Sequence, residues 1–244
     1  MMGTLYVIGI GPGDAELITV KAVRILKKVP VLCFPKGREE GSSLALSVVK
    51  KVLTLDDKEI IEAYFPMRKA VCSCELDTRW YETVENILSR LNKGIDIAFI
   101  TLGDPTIYST FFYLYDRILE LSPELNIEIV PGVSSINASA SRAKISLGLA
   151  DENIAVIPAT YTPQGFLTSV FESFDTVVLM KVHRVFDKVL KTLTEMNLLK
   201  NAIYISRAGM DEEIIIRDIR AVKADDLNYF SILIVRKQGR DDRG

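Results

Sequence analysis

The stretch from Thr4 to Leu26 restricts the fold more than any other part of the chain. A strand-like run, Thr4 to Ile8, ends in three alternate glycines, Gly9, Gly11 and Gly13, with Pro12 between the last two. An amphipathic helical pattern then runs from Leu17 to Leu26. Strand, glycine loop and helix in that order open a βα unit. Glycines after a first strand mark a close approach to the backbone. A dinucleotide loop would need a glycine five positions after Gly9, and Asp14 stands there instead. A carboxylate at a helix entry repels a pyrophosphate but makes a good N-cap. Pro12 removes a backbone donor that a phosphate cradle would use. The loop therefore suits either a bulky ligand that is not strongly anionic or a tight turn capped by Asp14.

The same alternation continues. Val29–Phe34 and Glu59–Tyr64 read as strands, with a serine-capped helix from Ser42 to Leu53 between them. From Glu75 to Asn92 the residues Leu76, Trp80, Val84, Ile87 and Leu91 recur at three or four, a surface helix that stops at Gly94. Ile95–Leu102 is apolar on both faces and reads as a central strand. A second unit is expected from about Asn126, with strands at Ile127–Val130, Ile154–Ile157, Thr176–Met180 and Ala202–Ile205, and helices at Ser134–Ala143 and His183–Met196. Two last strands, Ile214–Arg217 and Phe230–Val235, have no helix between them and predict an antiparallel edge. The reading is an α/β protein of two domains with mostly parallel sheets, 1–122 and 123–244, hinged at Ser122-Pro123. The tail from Gly239 is expected to be disordered.

Composition narrows the function classes. With 30 Lys and Arg against 32 Asp and Glu, interspersed along the chain, no basic field favours nucleic acid. Charged residues break every hydrophobic stretch, so no membrane span is expected. The N-terminus enters a strand with no leader, and three cysteines are an odd count, which together predict a cytoplasmic protein. Cys72 and Cys74 have no second pair and His183 is the only histidine, so they read as ordinary thiols and no metal is expected.

Three more loops fall at strand ends, where open α/β sheets place ligands. One runs from Thr101 to Ser109: Gly103 permits close approach, Pro105 stiffens the turn, and the Asp104 carboxylate could hold an ammonium. Another, Val130 to Ser141, opens a helix dressed with hydroxyls and small residues, a pattern that also serves close helix packing. A third pairs Leu179-Met180-Lys181 with Ser206 to Met210.

Taken in order, these loops resemble the tetrapyrrole (corrin/porphyrin) methylase family over almost the whole chain. The matching segments are 9–19, 102–105, 131–135 and the regions of Met180 and Ala208. Phe34 to Gly37, Asp104 to Phe112 and Leu149 to Thr160 look like the branch that methylates carbon 20 of precorrin-2 or cobalt-factor II on the route to cobalamin. The resemblance implies a class III methyltransferase of two α/β domains, S-adenosylmethionine in the cleft between them, and a homodimer. It places the cofactor against Pro12, Leu102, Gly103, Asp104, Ile107, Ser134, Ser135, Met180 and Ala208, the last often glycine in relatives.

A sulfonium cofactor carries no phosphate, so Asp14 and Pro12 do not count against it. Methyl transfer from a good leaving group needs alignment and exclusion of water, and no catalytic base is assigned. The acceptor's acetate and propionate groups call for cations, for which Lys36, Arg38, Arg142 and Arg207 are candidates, with Tyr108 as a possible orienting group. Two alternatives remain at this stage. One is a methylase of the same fold acting on a modified protein histidine, like a diphthine synthase, or on ribosomal RNA. The other is an adenosyl-binding module without turnover.

Overall fold

A computed structural model describes residues 1–36, 43–64, 73–163 and 165–237, and its side chains are described except at 64, 73–79 and 161. The chain divides into two compact units, Met1–Ser134 and Ser135–Gly244.

The first unit is built on five parallel strands, β1 (Leu5–Gly9), β2 (Val31–Lys36), β3 (Glu59–Tyr64), β4 (Ile97–Thr101) and β5 (Ile127–Val130), in the order β3-β2-β4-β1-β5. Its helices are α1 (Val20–Lys28), α2 (Leu44–Lys50), α3 (Ser73–Leu91) and α4 (Phe112–Leu121). The two-residue period of the strands sorts their side chains between two cores. Leu5, Val7, Val31, Cys33, Ile97 and Phe99 point to the face covered by Val84, Ile87 and Leu91 of α3 and Leu114 and Ile118 of α4. Ile8, Leu32, Phe34, Ala98 and Ile100 point the other way, against Ala22, Ile25 and Leu26 of α1 and Ala45, Leu46, Val48 and Val49 of α2. Burial on both faces is why β4 is apolar throughout and sits mid-sheet, as its sequence predicts, whereas the edge strands β3 and β5 carry Glu59, Glu62 and Glu128.

The expected boundary after Ser122 places β5 in the second unit, whereas pairing places it in the first sheet. Leu5 N–H donates to Asn126 O (3.0 Å), β5 runs beside β1, and Leu125 is buried in the α3/α4 core. The segment Leu119–Asn126 is therefore an ordinary α-to-β connection within the first unit. The division falls after Ser134, between the two serines of the expected cofactor motif.

The second unit has strands β6 (Ile154–Pro158), β7 (Thr176–Met180), β8 (Ala202–Ser206), β9 (Ile214–Ile216) and β10 (Ser231–Arg236) in the order β6-β7-β10-β8-β9. Its helices are α5 (Ser135–Ala143), α6 (Phe166–Ser173) and α7 (Phe186–Glu195). Only β6 and β7 pair in parallel; β7-β10, β10-β8 and β8-β9 are antiparallel, so this sheet is mixed rather than mostly parallel. The antiparallel edge is β9, while β10, expected beside it at the margin, occupies the middle. Its buried Ile232, Leu233, Ile234 and Val235 explain the exchange: a strand this apolar needs cover on both faces. Helices α6 and α7 cover one face through Leu167, Val170, Phe171, Phe186, Val189 and Leu193, and α5 packs on β8 and β10. Among the described residues no helix is long and apolar enough to cross a membrane. The tail from Gly239, Arg38 and Cys72 lie outside the described residues.

Candidate functional site

In the first unit β1 lies between β4 and β5, with Gly9 opposite Thr101 and Ile8 opposite Val130, so three loops leave neighbouring strands side by side. Their backbones then join. Ile10 N–H donates to Thr101 O (3.1 Å), and Gly11 and Gly103 exchange both of their backbone hydrogen bonds (2.7 and 3.3 Å). Gly132 N–H donates to Asp104 Oδ2 (3.0 Å), and Thr106 N–H donates to Oδ1 (2.8 Å).

No side chain fits inside this junction. A Cβ on Gly9 would stand 2.6 Å from Gly103 O and 2.7 Å from Gly132 N; one on Gly132 would stand 2.3 Å from Gly103 O. Gly11 (φ 80°) and Gly103 (φ 70°) also adopt the left-handed conformation that glycine tolerates best. The loop glycines read from the sequence as sites of ligand approach thus have a nearer cause, each other's backbone. Asp14 does act as a cap, but of the short turn Ala15–Leu17, accepting from Glu16 N–H (3.0 Å), while Thr19 caps α1 by accepting from Ala22 N–H (3.1 Å).

The junction brings together Pro12, Leu102, Gly103, Asp104 and Ile107; Pro12 and Gly103 are buried, and Ile107 N–H closes a turn onto Asp104 O (3.3 Å). Each Asp104 oxygen already accepts a backbone N–H, and a carboxylate has further lone pairs to offer a cationic ligand. Replacing Asp104 by Ala leaves the Gly132 and Thr106 amides without this acceptor. We expect a loss of about 1–3 kcal/mol in chemical denaturation, not restored by Asp104→Glu, whose longer side chain displaces both bonds.

In the second unit β7 and β8 both run antiparallel to β10, so their loops leave the same end of the sheet. Met180 ends β7, and Ala208, nearly fully buried, lies just beyond β8. Ser134 is buried in the first unit and Ser135 begins α5 in the second.

The expected rim cations differ in how firmly they are held. Lys36 Nζ is 3.0 Å from Glu62. Arg142 Nε donates to Glu213 Oε2 (2.9 Å), an atom that also accepts from Gly209 N–H (2.7 Å), which ties α5 to the loop after β8. Arg207 stands 3.7 Å from Glu212, beyond hydrogen-bond reach. Tyr108 is exposed with φ 51°. Sequence reading missed Glu213 as the organiser of this loop, because its two partners are 71 and 4 residues away and no spacing announces them.

Burial pushes the Cys33 thiol up to about 12, so it is an inert part of the β2 core. Among the described residues no group of three or more His, Cys, Asp or Glu could hold a metal ion.

The chain belongs to the tetrapyrrole (corrin/porphyrin) methylases, whose family pattern matches residues 4–221. It is 38% identical over 239 residues, 98% of each chain, to the cobalt-precorrin-2 C(20)-methyltransferase of Salmonella typhimurium. Among solved structures, a cobalt precorrin-4 methyltransferase shares the fold with TM-score 0.75 at 23% identity, covering 96% of this chain and 94% of that one. Uroporphyrin-III C-methyl transferase from Thermus thermophilus, solved with S-adenyl homocysteine, shares it with TM-score 0.66 at 20% identity, covering 96% and 98%.

Proposed function

We propose that this protein transfers the methyl group of S-adenosylmethionine to carbon 20 of cobalt-precorrin-2 in cobalamin biosynthesis. The observation that carries the reading is the 38% identity, spread over nearly the whole of both chains, to a relative of that name. The metal-free ring is the competing acceptor. Methyl transfer tested on both, with mass detection of the product, decides between them: one added methyl on the cobalt form and little on precorrin-2 is expected, and the reverse preference would overturn the cobalt assignment.

The residues fit such a cofactor. Pro12 lacks an N–H, Asp14 and Asp104 are carboxylates, and no cation stands in the junction among its named residues, a donor set matched to a sulfonium and an ammonium rather than to phosphates. When bound, the cofactor supplies an electrophilic methyl on a good leaving group. In the first unit Pro12, Leu102, Gly103 and Ile107 would line its binding surface, the Asp104 carboxylate would suit its ammonium and Ser134 would offer a hydroxyl. In the second unit Ser135 would offer another hydroxyl, and Met180 and Ala208 would border the adenine. With no proton transfer required to start the displacement, the protein's work is to hold donor and acceptor in line and to keep water out.

A homodimer is part of the same proposal. Phe112, Tyr113 and Leu121 of α4 and Tyr81 of α3 are exposed, and Tyr113 stacks on Trp80 (5.4 Å between centroids). An aromatic surface of this kind is rarely left to solvent. Sedimentation at micromolar concentration should return twice the 27.3 kDa chain mass, and Tyr113→Ser should shift it toward the monomer. A wild-type monomer throughout would contradict this.

A further inference from the structure

Two cationic residues of the second unit sit in the left-handed region although both carry a Cβ: Lys181 (φ 58°), directly after β7, and Arg207 (φ 53°), directly after β8. Tyr108, Lys144, Ala150 and Asn197 share that conformation, but Tyr108 and Ala150 lie in loops away from any strand end, and Lys144 and Asn197 follow α5 and α7, where a left-handed residue is the ordinary way to end a helix. At the end of a strand it is not ordinary, and it persists only where neighbouring groups enforce it. Those groups are visible. Lys181 N–H donates to Ser231 O (3.2 Å) and Arg207 N–H to Phe230 O (2.9 Å), consecutive carbonyls at the start of β10. Lys181 O accepts from Thr160 Oγ1 (2.8 Å), and Lys181 Nζ stands 5.6 Å from the centre of the Tyr229 ring.

The sheet order then fixes their spacing. β10 separates β7 from β8, with Ile232 opposite Met180 and Ser231 opposite Ser206. Two strand spacings put the backbones of Lys181 and Arg207 about 10 Å apart at the same end of the sheet. Lys181 adjoins Met180 and Arg207 adjoins Ala208, the two second-unit positions assigned above to the adenine.

We propose that Lys181 and Arg207 form a two-point clamp for carboxylates of the acceptor macrocycle. The inference rests on the methyltransferase reading of the same loops. Two cations that leave the same end of the sheet on strands separated by β10 suit a ring bearing several acetate and propionate arms, each cation taking one arm. The cofactor is the wrong occupant: its sulfonium and ammonium outnumber its one carboxylate, so paired cations oppose it. Lys supplies a point charge and Arg a planar fork, so the ring is both attracted and oriented.

The test measures the Kd of cobalt-precorrin-2 by absorbance titration and the Kd of S-adenosylhomocysteine by calorimetry, for wild type, Lys181→Gln, Arg207→Gln, Lys181→Gly and Lys181→Arg. Each Gln variant should weaken the tetrapyrrole about ten-fold or more, the usual worth of a charged hydrogen bond. The S-adenosylhomocysteine Kd should stay within about two-fold, and raised salt should weaken the wild-type tetrapyrrole complex more than either Gln complex. Lys181→Gly separates strain from folding: glycine accepts φ 58° freely, so its melting temperature should not fall although tetrapyrrole affinity does. Lys181→Arg should retain most of the affinity. Unchanged tetrapyrrole affinity in both Gln variants, or a matching loss of S-adenosylhomocysteine affinity, would overturn the clamp. Methyl transfer by the wild type tests the underlying function separately, so a wild type that methylates with unaffected variants sinks only the clamp.

Discussion

Gly132→Ala should lower stability by about 3 kcal/mol, the upper part of the range for forcing atoms into a packed interior. The added Cβ would lie 2.3 Å from Gly103 O and 2.7 Å from the Gly9 carbonyl carbon, both backbone atoms that no rotamer change can move aside. For a chain of 244 residues that is a fall in melting temperature of roughly 6–12 °C. Relief requires the loops after β1, β4 and β5 to separate. The exchanged Gly11 and Gly103 hydrogen bonds and the Asp104 contact to Gly132 would loosen together, so cofactor affinity should fall in whatever fraction remains folded. Thermal melting and calorimetry with S-adenosylhomocysteine check the two halves. A variant with wild-type stability would show that the three loops are not locked backbone to backbone.

The second large effect is expected far from the junction. Arg236 at the end of β10 donates from one guanidinium nitrogen to both oxygens of Glu152 (2.7 and 3.0 Å), and the two side chains retain only 14% and 8% of their exposure. Glu152 also accepts from Leu149 N–H (2.8 Å), so the loop before β6 is fastened to the centre of the second sheet. Arg236→Ala leaves a buried carboxylate without its cation and should cost about 3–5 kcal/mol. The double variant Arg236→Leu with Glu152→Leu should cost clearly less than the sum of the two single changes, because neither charge is then stranded. Additive losses in urea denaturation would mean that the pair is solvated and contributes little.

The first sheet was legible because its inner strands are buried on both faces: uninterrupted apolar runs such as Ile97–Ile100 and Val31–Phe34 state strand, position and parallel pairing at once. The second unit was less so. Helix α6 escaped notice because Phe, Thr and Val fill it, residues with strand preference, and only the spacing of Leu167, Val170 and Phe171 reveals the face it buries. The place of β10 depends on pairing with β7 and β8, contacts that no local pattern encodes. Residues 127–130 read correctly as a strand but were given to the wrong sheet, since strand character does not name a partner.

At the candidate site the ordered motifs name loops that, in the first unit, the structure joins backbone to backbone, and this geometry gives their residues a structural part. Gly9 and Gly132 are there for one another's backbones, and Asp104 fastens two loops in addition to any part it plays toward the cofactor. Lys181 and Arg207 show the limit of sequence reading most clearly. The sequence offers Arg207 as a rim cation but leaves Lys181 looking like surface charge, and only their positive φ angles and adjoining β10 carbonyls mark both as placed.

The most direct test of the account is methyl transfer itself. The purified protein, supplied with S-adenosylmethionine carrying an isotopically labelled methyl and with cobalt-precorrin-2, should yield a product heavier by one methyl, and nuclear magnetic resonance should place the label on carbon 20. Labelling at another ring carbon, or binding of cofactor with no transfer to either the cobalt-containing or the metal-free ring, would contradict it.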